Sequence, residues 1–547
     1  MKRLLLAALL LAPLAGCIAG DEAPPAALPP AVSEPLYELS VSEHLPMRMD
    51  DGATIDAWVF RPQTDEPVPV IINFSPYWSN LAPPAASGGD AFSAFLLDYF
   101  VPRGYAVALV SVRGTGNSEG CFTIGGAREI ADADAVATAL ATAGWANGNA
   151  TAIAKSYDGT VAQGLLTRAN PHVRTIVPVS PISEFYKYNY FDGLTYSGQG
   201  ETFNALYVDA VSLQQSDDPT DETWTKTPTR FCEESADVQR AGVESALTGD
   251  YTEYWRERNY TALLPETLDA SVFYIHGLAD WNVKPDHMDP WIDALRQRNV
   301  TIKMWLGQWG HDYPTRSDFN ETLLRWLDHE LKGIDNGIMD EPLVDVEDDT
   351  GTWRHEDLWP RPDAQALRLY PSADGTLGDA PGAGTSVYAD GAALPVAPAS
   401  VRFESAPLPR ALRLVGVPTF EIAFSSTHPR ASLVATLYAG DKIADQGFLD
   451  LLHWEGMESG SPLTPGETYR TTVRFYPQDV LLPAGSRLAL VVSHETPEDA
   501  PVAVQPPPTQ ALVTLVHGEG TLLTLPVIED DPRTLDPQPD DVGCWAC

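Results

Sequence analysis

At 547 residues the chain exceeds what one hydrophobic core supports, about 250–300 residues, so more than one domain is expected. An apolar fraction of 44% suits a globular protein, and a formal charge of −40 at pH 7 argues against nucleic-acid binding and against docking on anionic lipid. That charge favours solubility and fits a salty habitat, but it names no substrate.

Lys2 and Arg3 precede the apolar run Leu4 to Leu11, and Leu14-Ala15-Gly16-Cys17 follows. This is the layout of a secretory signal. Leu-Ala-Gly-Cys resembles the lipobox of lipoproteins, which makes residues 1–17 a signal peptide and Cys17 the lipidated first residue of the mature chain. An ordinary cleaved signal is the competing reading. Residues 18–35, rich in Pro and Ala, then read as an extended tether. The expectation is an exported protein anchored by lipid, facing the periplasm or cell exterior. No other segment approaches ~20 uninterrupted apolar residues, the length a spanning helix needs.

From residue 36 to about 337, β-like and helical runs alternate. Predicted strands are Pro67 to Phe74, Tyr105 to Val112, Ala150 to Ala154, Thr175 to Val179, Val272 to His276 and Thr301 to Leu306. Most are short, apolar and rich in β-branched residues, as in a sheet covered on both faces. Predicted helices include Ala91 to Tyr99, Glu129 to Ala143, Val161 to Arg168 and Phe319 to Lys332. The alternation predicts a mostly parallel, doubly wound α/β sheet over residues 36–182 and 265–340. Residues 183–264 break the rhythm and read as a helical cap inserted over the carboxyl edge of the sheet. From 359 to 528, short alternating runs such as Ala411 to Val417, Ala431 to Tyr438, Tyr469 to Phe475 and Arg487 to Val492 predict an all-β jelly roll. Residues 529–547 form an acidic, Pro-rich tail. In an exported chain the remaining cysteines are candidates for disulfides, most simply Cys121–Cys232 and Cys544–Cys547.

The chemistry centres on Ile153-Ala154-Lys155-Ser156-Tyr157-Asp158-Gly159-Thr160, where an apolar run enters a serine and a helical segment follows. A serine at a sharp strand-to-helix turn is lifted clear of the sheet, with helix amides behind it for a developing oxyanion. The small residues are Ala154 and Gly159, a variant of Gly-x-Ser-x-Gly. A serine nucleophile needs a base, and the base an orienting carboxylate. Asp280 follows the predicted strand ending at His276, and His311 follows the one ending at Leu306. The order Ser156, Asp280, His311 places all three after strands of one sheet. Tyr157 offers the amide after the nucleophile, and Tyr77, in Ser75-Pro76-Tyr77 after another strand, offers a phenol as second oxyanion donor. His276 reads as structural.

These segments, with Val112-Arg113-Gly114-Thr115-Gly116-Asn117-Ser118-Glu119-Gly120, Trp309-Gly310-His311 and Arg325 to Gly333, resemble the X-Pro dipeptidyl-peptidase and cocaine-esterase family of serine hydrolases over roughly residues 40–525. The resemblance implies an α/β-hydrolase core with a helical cap and a jelly-roll domain of galactose-binding type. It also implies the triad Ser156, Asp280 and His311 with Tyr77 at the oxyanion. Two positions depart from the family pattern: Ala154 stands where glycine is usual, and Ser111 where aspartate is favoured beside the arginine. In Asp280-Trp281-Asn282-Val283-Lys284-Pro285 the chain is similar to the peptidase branch, which implies Asn282, with Trp281 beside it, as a ligand of the substrate's free N-terminus. Glu201, in the cap, is the candidate matching acid. Phe185, Tyr186, Tyr188 and Tyr190 are candidates either for a proline-sized pocket or for the core of the cap.

The expected activity is therefore release of N-terminal X-Pro dipeptides, needing no metal or cofactor. Ester or amide acyl hydrolysis by the same triad is the alternative, and a non-catalytic ligand-binding lipoprotein the more distant one. Expected partners are a peptide or small acyl substrate and the lipid anchor; the oligomeric state stays open, a homodimer included.

Overall fold

The computed structural model describes residues 32–77, 91–197, 238, 240, 245, 248–390, 397–507 and 509–529. Cys17, Glu201, Cys232, Cys544 and Cys547 lie outside them, as do residues 18–31 of the tether and 530–547 of the tail. Cys121 is disulfide-bonded.

Among the described residues ten strands make the first sheet: β1 (Leu39–His44), β2 (Ala57–Pro62), β3 (Val68–Ser75), β4 (Ala106–Ser111), β5 (Ala146–Lys155), β6 (Val173–Val179), β7 (Ser271–Gly277), β8 (Ile302–Gly307), β9 (Val344–Glu347) and β10 (Trp353–Glu356). Their spatial order is β1-β2-β4-β3-β5-β6-β7-β8-β9-β10. The run from β4 to β9 is parallel, and antiparallel pairs close both edges. Every residue of β3, β4, β7 and β8 is buried, which is why these strands read as continuous apolar runs. Pro69 cannot donate to a ladder, and the register of β3 against β5 shifts between Val68 and Val70.

Helices cover both faces. Ala127–Ala141, Tyr157–Leu166 and Met288–Arg296 pack their apolar sides on one. Leu96–Phe100 and Phe319–Lys332 pack on the other. In the last of these Phe319, Leu323, Leu327 and Leu331 recur every four residues and are all buried, and Gly333 in the left-handed region (φ 68°) ends it.

After Ser183 come the short helix Phe185–Asn189 and two short strands, Tyr190–Phe191 and Leu194–Tyr196. Two further short helices, Glu253–Arg256 and Tyr260–Leu263, lead back to the sheet. Leu194–Tyr196 pairs with Val504–Gln505, so the cap shares a ladder with the C-terminal half.

That half holds, among the described residues, an antiparallel sheet of nine strands and another of four, packed around one core. It is the expected β-sandwich. A smaller apolar cluster of Phe191, Tyr196, Val434, Phe448, Tyr476 and Val504 joins cap to sandwich, and Trp281 packs on it. A buried ionic cluster adds to the junction. Arg354 donates to Asp479 at 2.6 Å and Glu356 at 3.0 Å, Arg413 pairs with Asp348 at 2.7 Å, and the Trp359 indole donates to Asp479 at 3.1 Å.

Candidate active site

Ser156 stands between β5 and helix Tyr157–Leu166 with φ 64° and ψ −130°, a region that glycine enters freely and other residues rarely. The turn is held from both sides. Ser156 N–H donates to Val179 O at 2.9 Å, and Thr160 N–H donates to Ser156 O at 2.9 Å. Gly159 is required because a Cβ there would lie 2.7 Å from Ala154 O and 3.2 Å from Val179 O. The methyl of Ala154, by contrast, is accommodated in the buried end of β5.

Asp280 and His311 leave the ends of β7 and β8, adjacent parallel strands that pair in register from Val272↔Ile302 to Gly277↔Gly307. Their loops approach so closely that a Cβ on Gly277 would meet Trp309 O at 2.2 Å. His311 Nδ1 and Asp280 Oδ2 are 2.8 Å apart. Oδ1 of Asp280 accepts from the amides of Asn282 at 2.9 Å and Val283 at 3.0 Å. Burial alone would raise this carboxyl, but the hydrogen bond from His311 and the neighbouring histidine rings outweigh it and hold it below the usual carboxylate value. His311 remains one-fifth exposed while Asp280 is fully buried. An ionised carboxylate under a partly open imidazole fixes the ring with Nδ1–H inward, which leaves Nε2 as the basic atom.

His276 is fully buried between Tyr274 OH at 3.0 Å and Val283 O at 2.9 Å, and burial lowers its pKa. It supports the Asp280 loop through these two bonds.

Two supporting residues escaped the sequence reading. Lys155 donates from Nζ to His311 O at 3.2 Å, tying the strand before Ser156 to the loop that carries the imidazole. Glu129, fully buried, accepts from Tyr157 OH at 2.5 Å and from the amides of Thr123 and Gly125. Burial raises its carboxyl despite these bonds. The clue available in sequence was an acid in the first turn of a helix, which reads equally as a helix-dipole partner.

Tyr157 is thus a buried post under the turn, with its amide in the first turn of the helix. Tyr77 is 43% exposed two residues beyond β3, the neighbour of β5, and its N–H donates to Ser75 Oγ at 3.1 Å. Asn282 is exposed, and its Oδ1 accepts from Tyr188 OH at 2.9 Å. Trp281 turns the other way, edge-on to Tyr476 of the sandwich with ring centroids 5.6 Å apart. Of the four cap aromatics only Tyr188 is seen to reach this loop. Phe185 meets Tyr260 and Tyr157, and Tyr186 and Tyr190 stack at 4.9 Å against Trp255 inside the cap. Arg113, beside Ser111 where the family pattern favours aspartate, is held by Asp132 at 2.6 and 2.9 Å and by Asp51 at 2.9 Å.

Residues 51–313 match the model of the X-Pro dipeptidyl-peptidase (S15) family, and residues 336–514 match that family's C-terminal non-catalytic domain. A Streptomyces avermitilis protein provisionally named Xaa-Pro dipeptidyl-peptidase is 32% identical over 537 residues, covering 82% of this chain and 76% of its own. The chain belongs to the S15 X-Pro dipeptidyl-peptidase family. A Bacillus cereus relative with the same provisional name is 32% identical over 483 residues, covering 79% of this chain and 81% of its own. Solved structures show the fold. A CocE/NonD family hydrolase from Staphylococcus aureus superposes with a TM-score of 0.71 at 16% identity, covering 91% of this chain and 98% of that one. An α-amino acid ester hydrolase gives 0.63 at 18% identity, covering 95% and 100%. As an S15 member the chain is a serine hydrolase built on an α/β-hydrolase fold with a β-rich C-terminal domain.

Proposed function

We propose that the enzyme removes X-Pro dipeptides from peptide N-termini through an acyl-enzyme on Ser156. The observation that carries this reading is the 2.8 Å contact between His311 Nδ1 and Asp280 at the ends of two paired strands of the sheet that also carries Ser156 in nucleophile-elbow geometry. His311 Nε2 takes the Ser156 proton as Oγ attacks the proline carbonyl, then delivers it to the departing amine. Asp280 keeps the imidazole in one tautomer and stabilises its charged form. The amide of Tyr157 and the hydroxyl of Tyr77 receive the oxyanion. Water then repeats the sequence on the ester. The mechanism calls on no metal or cofactor.

Recognition of a free α-ammonium needs acceptors at the acyl side. Asn282, braced by Tyr188, supplies one, and Glu201 is the candidate acid. The lipobox-like Leu14 to Cys17 and the Pro/Ala-rich stretch after it support an exported lipoprotein acting outside the cytoplasm.

Ala-Pro-p-nitroanilide, its N-acetylated form and simple aryl esters separate the readings. Strong preference for the free amine is expected. Equal rates on the acetylated anilide, or turnover of esters alone, would assign an acyl hydrolase instead. Labelling by a fluorophosphonate that disappears in Ser156→Ala identifies the nucleophile; labelling that survives removes it.

A further inference from the structure

A cleft of about 710 Å³ separates the catalytic loops from the β-sandwich, within the size range of pockets that enclose small ligands. Leu278, Ala279 and Trp281 of the Asp280 loop line it, as do Gln308 of the His311 loop and, from the sandwich, Gln446 and Val480. Gln446 lies in strand Lys442–Asp450, is 2% exposed, and has no hydrogen-bond partner at either Nε2 or Oε1. Its cross-strand neighbour Thr436 leaves Oγ1 in the same state. Buried side-chain polar groups are satisfied in the great majority of cases, so an amide with both ends unused points to a missing ligand.

The orientation follows from strand alternation. Gln446 shares a face with Phe448, whose ring lies 6.4 Å from Tyr476, which in turn meets Trp281. Within one loop, Asn282 is bonded to the cap through Tyr188 while Trp281 leans on the sandwich. The acyl half of a substrate belongs on the Asn282 side. The departing amine must meet His311, three residues after Gln308, and so leaves toward the cleft.

We propose that this cleft is the leaving-group subsite, where the Gln446 carboxamide hydrogen bonds the backbone of the peptide beyond the scissile bond. A carboxamide carries one acceptor and a donor in fixed geometry, the complement of a peptide unit. Leu278, Val480 and Trp281 supply apolar walls for side chains. The subsite gives the sandwich a part in substrate selection, and the inference rests on the dipeptidyl-peptidase reading.

The test compares Ala-Pro-Phe-Leu-Gly with Ala-Pro-p-nitroanilide in the full-length enzyme and in Gln446→Leu. The ratio of kcat/KM for the pentapeptide to that for the anilide is expected to fall about tenfold, the worth of one or two neutral hydrogen bonds. Leucine removes unpaired polar atoms at similar volume, so the melting temperature should not drop; if it does, Gln446→Met repeats the comparison. An unmoved ratio with both substrates cleaved overturns the subsite, leaving water as its occupant. If the wild type cleaves neither substrate, the dipeptidyl-peptidase reading is what fails. The cleft then stands or falls on calorimetric binding of Phe-Leu-Gly-amide. Binding weakened about tenfold by Gln446→Leu supports it, and no binding to the wild type overturns it.

Discussion

Asp280 divides its two oxygens between two tasks. One binds the amides of Asn282 and Val283 and shapes the loop, while the other orients His311. Replacing it with asparagine keeps most of this geometry but offers an N–H where an acceptor is needed, which turns the imidazole to the wrong tautomer. Asp280→Asn is therefore expected to lower kcat about 10⁴-fold with little change in KM, measured on whichever chromogenic substrate the wild type accepts. A loss under tenfold would remove Asp280 from the orienting role. The residues with a chemical signature were legible in sequence because each follows a strand in the order a hydrolase sheet demands. Lys155 and Glu129 were not, because their roles come from contacts with His311 and Tyr157 that spacing along the chain does not encode.

At the scale of elements, the strand-turn-helix around Ser156 is braced by a missing side chain and by a buried acid. Gly159→Ala would force its new methyl against Ala154 O, and backbone cannot yield as a side-chain tip can. A loss of about 1–3 kcal/mol is expected from urea unfolding, with activity falling more than stability because the serine moves with the turn. The acid gives a pH test. Glu129 titrates near 4.3 when unfolded and above that when folded, because burial raises it. The folded state therefore holds its proton to higher pH. The stability this confers is present below about pH 4.3 and is lost as pH rises through the raised value. Glu129→Gln, which cannot ionise, should flatten the fall of the urea midpoint above that pH; an unchanged slope would assign it to other groups. Here too the sequence was only partly readable. Strands buried on both faces announced themselves, and Val68–Ser75 or Ser271–Gly277 lie within one or two residues of the expected runs. The edge strands Leu39–His44, Val344–Glu347 and Trp353–Glu356 did not, because they carry polar residues and are defined by the ladder they complete.

Across the whole molecule, the junction between the two halves is more polar than either core. Arg354 and Arg413 are nearly inaccessible and face Asp348, Glu356 and Asp479, also buried. Removing one cation from such a cluster leaves a carboxylate uncompensated in a low-dielectric setting. Arg354→Met is expected to cost about 3–5 kcal/mol and to broaden or split the thermal transition by uncoupling the halves. A single unshifted transition would show that the cluster contributes no net stability. The division into an α/β half and an all-β half was visible in the change of periodicity near residue 359. The junction was not, since Asp479 and Arg354 are 125 positions apart and meet only in the fold.

The backbone at Ser156 has a consequence for the stability of the whole fold. With φ at 64° and ψ at −130° the residue sits where glycine would be at ease, so the protein carries strain at the position it can least afford to change. Ser156→Gly should abolish turnover and yet melt at a higher temperature than the wild type, by about 1 kcal/mol of added stability. The inert enzyme would be the tougher one. Selection for sturdiness alone would thus erode this enzyme, and a rise in melting temperature on losing one hydroxymethyl group would record what its activity costs the fold.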